Sequence, residues 1–172
     1  MTLDLRARVR DVPDFPKEGI VFKDLMPLIA DSEYFGETVH RLADWARPRE
    51  PNLILGAEAR GFIFGAALAY ELGTGFVPAR KPGKLPWETI DATYDLEYGT
   101  DSLEVHRDAI EAGSRVIVLD DVLATGGTAR AKVELVEKLA GLVVGALFVI
   151  ELTFLHGRDR LAGYDVHSLI QY

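Results

Sequence analysis

The chain has 172 residues, 48% of them hydrophobic and 27% charged, which fits one domain with a core of its own and excludes disordered and collagen-like classes. It has no cysteine, so disulfide frameworks, thiolate metal sites and cysteine nucleophiles are ruled out, and a reducing cytoplasm is the expected setting. With 19 Lys and Arg against 27 Asp and Glu the formal charge is −8; neither nucleic acid nor an anionic membrane surface is an expected partner, and a phosphate ligand would need a local site. The first ten residues mix Arg and Asp with apolar residues and lack the apolar stretch of a secretory signal. The longest apolar runs, such as Leu142 to Ile150, fall far below the roughly 18 residues that span a bilayer, so the chain reads as soluble.

In chain order, Asp31 or Ser32 caps a helix to about Arg47, with Phe35, Val39, Leu42 and Ala46 at near-helical spacing and Pro48 ending the run. Asn52 to Gly56 reads as a short strand, Gly61 to Leu72 as a helix closed by Gly73, and Gly75 to Ala79 as strand again. From Lys81 to Thr93 the spacing is aperiodic and carries Pro82, Gly83 and Pro86, which predicts a long mobile loop of functional use. Tyr94 to Tyr98 and Ser102 to His106 flank a Gly-containing turn and predict a hairpin. Arg115 to Asp120 reads as a strand buried on both faces, followed by a helix from about Gly126 to Ala140. Val143 to Leu152 and Val166 to Ile170 are the last strands. Such alternation predicts an α/β domain with a mainly parallel central sheet flanked by helices and a ligand site at the carboxyl ends of its strands. There is no internal repeat or linker.

The most informative stretch is Val116 to Thr128, VIVLDDVLATGGT. A buried strand delivers Asp120 and Asp121 to its carboxyl edge, and the small-residue turn Ala124, Thr125, Gly126, Gly127 and Thr128 opens a helix. Unpaired N–H groups at that helix start can cradle a phosphate, and the two threonines add hydroxyl donors. The bland alternative is a tight strand-to-helix turn with two capping acids, but two acids, two threonines and two glycines after one buried strand are more than capping requires. Neither a Walker loop nor a dinucleotide fingerprint is present.

These thirteen residues resemble the phosphoribosyl pyrophosphate (PRPP) motif of the type I phosphoribosyltransferases. Other segments resemble the adenine branch of that family: Phe15 to Asp24 its base-recognition segment, Glu58 to Phe62 its pyrophosphate loop, Ala79 to Pro86 its flexible loop, Leu96 to Asp101 the return of that loop, and Leu161 to Val166 its ending. The resemblance covers nearly the whole chain. It implies a single phosphoribosyltransferase domain over residues 1–172, with a flexible loop and a small N-terminal hood for the base. The implied activity is a purine-salvage pentosyl transfer that turns adenine and PRPP into AMP and pyrophosphate.

Residue by residue, the resemblance assigns the acid pair to the ribose hydroxyls and Ala124 to Thr128 to the 5′-phosphate. Arg60, Arg80, Lys81 and Lys84 are assigned to pyrophosphate, partly across the interface of a homodimer. Val21, Phe22, Lys23 and Val122 are assigned to adenine, and Glu97 to acid/base work at the purine imidazole edge. Taken singly, Arg60 could be a solvated surface residue, Lys81 and Lys84 an ordinary loop, and Glu97 a cross-hairpin partner. Magnesium is the implied cofactor, bound mainly through PRPP, with no protein metal ligand assigned. His40, His106, His156 and His167 show no metal-ligand spacing. Two other readings are a type I transferase for a different base, hypoxanthine, guanine, xanthine or orotate, and a non-catalytic regulator built on the same fold. The segment around Phe22, Lys23 and Asp24 and the loop from Arg80 to Pro86 favour adenine, and the acidic charge without spare residues for a DNA-binding module disfavours the regulator.

Overall fold

The computed structural model describes residues 3–95 and 99–172. Its centre is a five-stranded, all-parallel sheet in the order β4 (Gly75–Ala79), β3 (Leu53–Ala57), β7 (Arg115–Leu123), β8 (Leu142–Glu151), β9 (Val166–Gln171). Side chains alternate across the strands, so each central strand feeds two cores. Leu55, Val77, Val116, Val118, Ala146 and Phe148 face one side, where α4 (Gly127–Lys138) and a hairpin of β5 (Thr89–Asp95) and β6 (Thr100–His106) cover them. Ile54, Ile117, Leu119, Leu147 and Val149 face the other, beneath α2 (Ser32–Ala46) and α3 (Arg60–Leu72).

Helix ends follow their local chemistry. Asp31 caps α2 by accepting from the N–H groups of Glu33 and Tyr34, which decides between the two candidate caps. Gly73 closes α3 in the left-handed region at φ 69°, where an L side chain would be strained. Toward the N-terminus, β1 (Arg10–Pro13) and β2 (Val21–Asp24) form a separate antiparallel hairpin at the place expected of the hood. A short helix α1 (Met26–Ile29) leads from it to α2. Among the described residues no helix is long and apolar enough to cross a membrane.

Two elements differ from the sequence reading. The stretch from Lys81 to Thr93 is a loop only as far as Glu88, because Thr89 to Asp95 is strand, paired with β6 from Thr89–His106 to Asp95–Thr100. Ile90, Ala92 and Tyr94 turn inward at a spacing of two and pack on the α4 side of the core. That signal is only three residues long and is diluted by polar partners. The second difference is that β7 runs on to Leu123, so the acid pair lies inside the strand. Its ladder to β3 ends at Leu119, opposite Gly56, while its ladder to β8 continues to Leu123.

Chain order reverses between β3 and β7: from β3 the chain moves outward through α3 to β4, and from β7 it moves the other way through α4 to β8. In open parallel sheets a crevice forms outside the strand ends at such a reversal.

Candidate active site

That crevice is a cavity of about 420 Å³. It gathers residues from four distant parts of the chain: Val21, Phe22 and Lys23 from the hood, Arg60 from the start of α3, Lys81 from the loop, and Asp120 to Ala129 from the end of β7 into α4. The acid pair, the Ala124 to Thr128 turn and Val21, Phe22, Lys23 and Val122 therefore line one space, while of the wider Phe15 to Asp24 segment only Ile20 to Lys23 reaches it. Arg80 and Lys84 reach its rim through Glu58, which lines the cavity. Glu97 lies outside the described residues.

The phosphate turn is shaped by close backbone approach. Gly126 sits at φ 85° immediately before α4, and a Cβ there would collide with the Gly157 carbonyl. A Cβ at Gly157 would in turn collide with the Ala124 carbonyl, so the 157–161 turn braces the phosphate turn from behind. Only an isolated glycine marks that brace in the sequence. Among the described residues no side chain caps α4, so the N–H groups at its start, with the helix dipole, are oriented to receive an anion.

The two carboxylates are held differently. Asp121 is 6% exposed and pairs with the Arg60 guanidinium. Burial pushes its carboxyl up to about 6 and the adjacent Asp120 charge adds to the rise, against the pull of Arg60. Asp120 accepts from the Lys132 ammonium at 2.7 Å and from the Asp121 N–H at 3.1 Å. Gly61 leaves room for it, because a Cβ on Gly61 would lie 2.7 Å from Asp120 Oδ1. Lys132 is fully buried and had no role in the sequence reading; its place two residues into the second turn of α4 gives no hint that it reaches the strand end.

The loop cations are all paired with acids of this chain. Glu58 accepts from Arg80 Nε at 3.0 Å, from the Lys81 N–H at 2.8 Å and from Lys84 Nζ at 3.1 Å, while Lys81 Nζ pairs with Asp101. Burial works to raise the Glu58 carboxyl, but these donors hold it below its ordinary value. Glu58 opens the segment that resembles the pyrophosphate loop, but its grip on the cations of the 80–84 loop is geometric information that only the fold supplies.

In the hood, the side chain of Lys23 is turned to Asp11, at 2.7 Å, and to the Tyr172 ring, at 4.0 Å. What Lys23 offers to a ligand is therefore main chain. Among the described residues strand β2 pairs with β1 alone, and its other edge carries no further strand. Phe22 meets Phe15 edge to face at 5.2 Å and lies under the Arg60 guanidinium at 5.3 Å, so the base segment touches the residue assigned to pyrophosphate. Among the described residues no group of three or more His, Asp or Glu side chains could hold a metal.

Comparison with known proteins agrees with this geometry. Residues 29–167 match the family described as phosphoribosyl transferase domain. An adenine phosphoribosyltransferase of Thermotoga maritima is 55% identical over 170 residues, covering 99% of this chain and 98% of that protein. The crystal structure of an adenine phosphoribosyltransferase from Thermoanaerobacter pseudethanolicus superposes with a TM-score of 0.95 at 54% identity, covering 98% of both chains. The Saccharomyces cerevisiae enzyme, solved with adenine and an imino-altritol bisphosphate, gives a TM-score of 0.91 at 43% identity over 96% of both chains. A mainly parallel α/β fold, an acid pair running into an uncapped helix start, and likeness over nearly the full length all agree: this chain belongs to the adenine phosphoribosyltransferase family.

Proposed function

We propose that the protein transfers the phosphoribosyl group of PRPP to adenine, giving AMP and pyrophosphate. The observation that carries this reading is the single cavity in which the acid pair and the α4 start face Arg60 and the main chain of β2. The α4 N–H groups with Thr125 and Thr128 hold the 5′-phosphate, and Asp120 and Asp121 accept from the ribose hydroxyls. The bond from the anomeric carbon to the diphosphate oxygen breaks as the bond to adenine N9 forms, and the N9 proton leaves to a base. Glu97 is the candidate for that base. Charge builds on the departing diphosphate through an oxocarbenium-like transition state, so cations at that end lower the barrier most. Arg60 leaves Asp121 for the diphosphate, and Arg80, Lys81 and Lys84 exchange Glu58 and Asp101 for it, closing the loop against water.

Magnesium fits this site as a passenger of PRPP. The acid pair lies where the ribose hydroxyls arrive, and its partners Arg60 and Lys132 already fill part of its acceptor capacity. Bound there, the ion supplies Lewis-acid neutralisation of the diphosphate. A homodimer lending loop cations across its interface, and a cytoplasmic setting, belong to the same reading. The test is to supply adenine, PRPP and magnesium and follow pyrophosphate: stoichiometric release with AMP supports it, and no release from folded protein overturns it.

A further inference from the structure

A fully buried lysine stands directly beneath the acid pair. Lys132 extends from α4 under the end of β7, and its ammonium donates to Asp120 Oδ2 and to the Leu119 carbonyl, each at 2.7 Å. Its neighbours on α4, Ala131 and Val133, are ordinary core residues. Burying an ammonium costs several kcal/mol, and a buried ion pair commonly adds no more stability than apolar side chains of similar volume. A methionine could fill the same volume without that cost, so packing alone does not account for the charge. Its one ionic partner among the described residues is a carboxylate that lines the cavity.

The arrangement also makes the two acids unequal. Asp120 is fixed on three sides: Lys132 at Oδ2, the Asp121 N–H at Oδ1, and Gly61 packed close to Oδ1. Asp121 is held by Arg60, whose side chain is 43% exposed and so has room to leave. A carboxylate has about four acceptor positions, and the two bonds recorded for Asp120 leave capacity for a hydroxyl.

We propose that Lys132 is a positioning residue for the ribose site: it fixes the orientation and charge of Asp120, so that PRPP meets one anchored acceptor and one, Asp121, that exchanges partners. Lys132 touches no substrate atom and acts through Asp120 alone. This rests on the PRPP reading given above, and the experiment separates the two.

The experiment is a double-mutant cycle of Lys132→Met and Asp120→Asn. It is read as the affinity for PRPP with magnesium by calorimetry, and as KM for each substrate. Lys132→Met in the otherwise unchanged protein should weaken PRPP binding about tenfold or more while changing KM for adenine less than about twofold. In the Asp120→Asn background the same replacement should change PRPP affinity less than about twofold, because the group it acts through is already neutral. Should Lys132→Met alone fail to fold with Asp120 left unpaired, the doubly neutral variant keeps the comparison, since it buries no orphaned charge. Equal PRPP affinity of Asp120→Asn and the double variant then supports the proposal. A similar loss from Lys132→Met in both backgrounds, or an equal rise in both KM values, would overturn it and leave Lys132 as packing. Failure of the unchanged protein to bind PRPP would overturn the PRPP reading itself, and the positioning role with it.

Discussion

Arg60 and Asp121 are each other's partner in this structure and are both assigned to PRPP, so one substitution at either reports on the exchange. On the proposed reading, Arg60→Ala should lower kcat/KM for PRPP roughly 30- to 150-fold, the loss of one charge-assisted contact worth about 2 to 3 kcal/mol. Some stability should be lost as well, because the Asp121 side chain is 8% exposed and is left without its cation, so the kinetics are read on protein shown to be folded. Unaltered PRPP kinetics in that variant would remove Arg60 from the site. The raised carboxyl of Asp121 adds a pH dependence. An ionised Asp121 accepts from a ribose hydroxyl more strongly than a protonated one, so on the proposed reading KM for PRPP should rise as pH falls through about 6. In Arg60→Ala that limb should move to higher pH, since the guanidinium is what pulls the Asp121 carboxyl down. The stability effect runs the opposite way. A carboxyl raised in the folded state contributes stability that is full below the unfolded value near 3.8 and is lost as pH rises through about 6. Asp121→Asn should therefore lose activity yet flatten the stability profile between those pH values, as followed by urea unfolding. An Asp121→Asn protein with full activity would contradict the assignment of the acid pair.

At the scale of elements, the loop has a smaller free span than its composition suggests. Its far half is strand β5, and its near half is tied by Glu58 and by the Gly83 N–H to Glu104, at 3.2 Å. Between them Trp87 is 66% exposed. Limited proteolysis should cut between Pro82 and Glu88 in the free protein and be suppressed by PRPP or AMP, whereas Thr89 to Asp95 should resist in both states. Equal cutting of the 82–88 span with and without ligand would count against closure. The same contrast shows what a single sequence discloses. Strand β7 and its turn were legible because apolar run, acids and glycines are contiguous in the chain. The Ile90, Ala92 and Tyr94 stripe was not, because three inward residues among threonines and acids give too short a period to separate from loop. Gly157, Lys132 and the hold of Glu58 on the loop were beyond reach for a different reason: each acts on a residue 12 or more positions away, and nothing local distinguishes a buried lysine on a helix from a solvated one.

The whole molecule brings residues 20–23, Arg60 at the start of α3 and the turn of residues 124–128 to one crevice at the reversal of its sheet. On the proposed reading, choice of base depends on the first of these. With the Lys23 side chain engaged by Asp11 and Tyr172, the groups left to read a purine edge are the N–H and C=O of β2, with Phe22 and Val122 lining the same space. Adenine offers a donor amine at position 6 and an acceptor at N1, and a backbone C=O and N–H satisfy both. Hypoxanthine reverses the pair, and backbone groups cannot rotate to follow as a hydroxyl does. Replacing Lys23 by Ala should accordingly erode base preference only partly. The most direct test of this account is the ratio of kcat/KM for adenine and hypoxanthine, measured with PRPP and magnesium. A preference for adenine on the order of 10³ or more is predicted, whereas comparable values for the two bases would contradict a main-chain adenine site while leaving the PRPP chemistry in place.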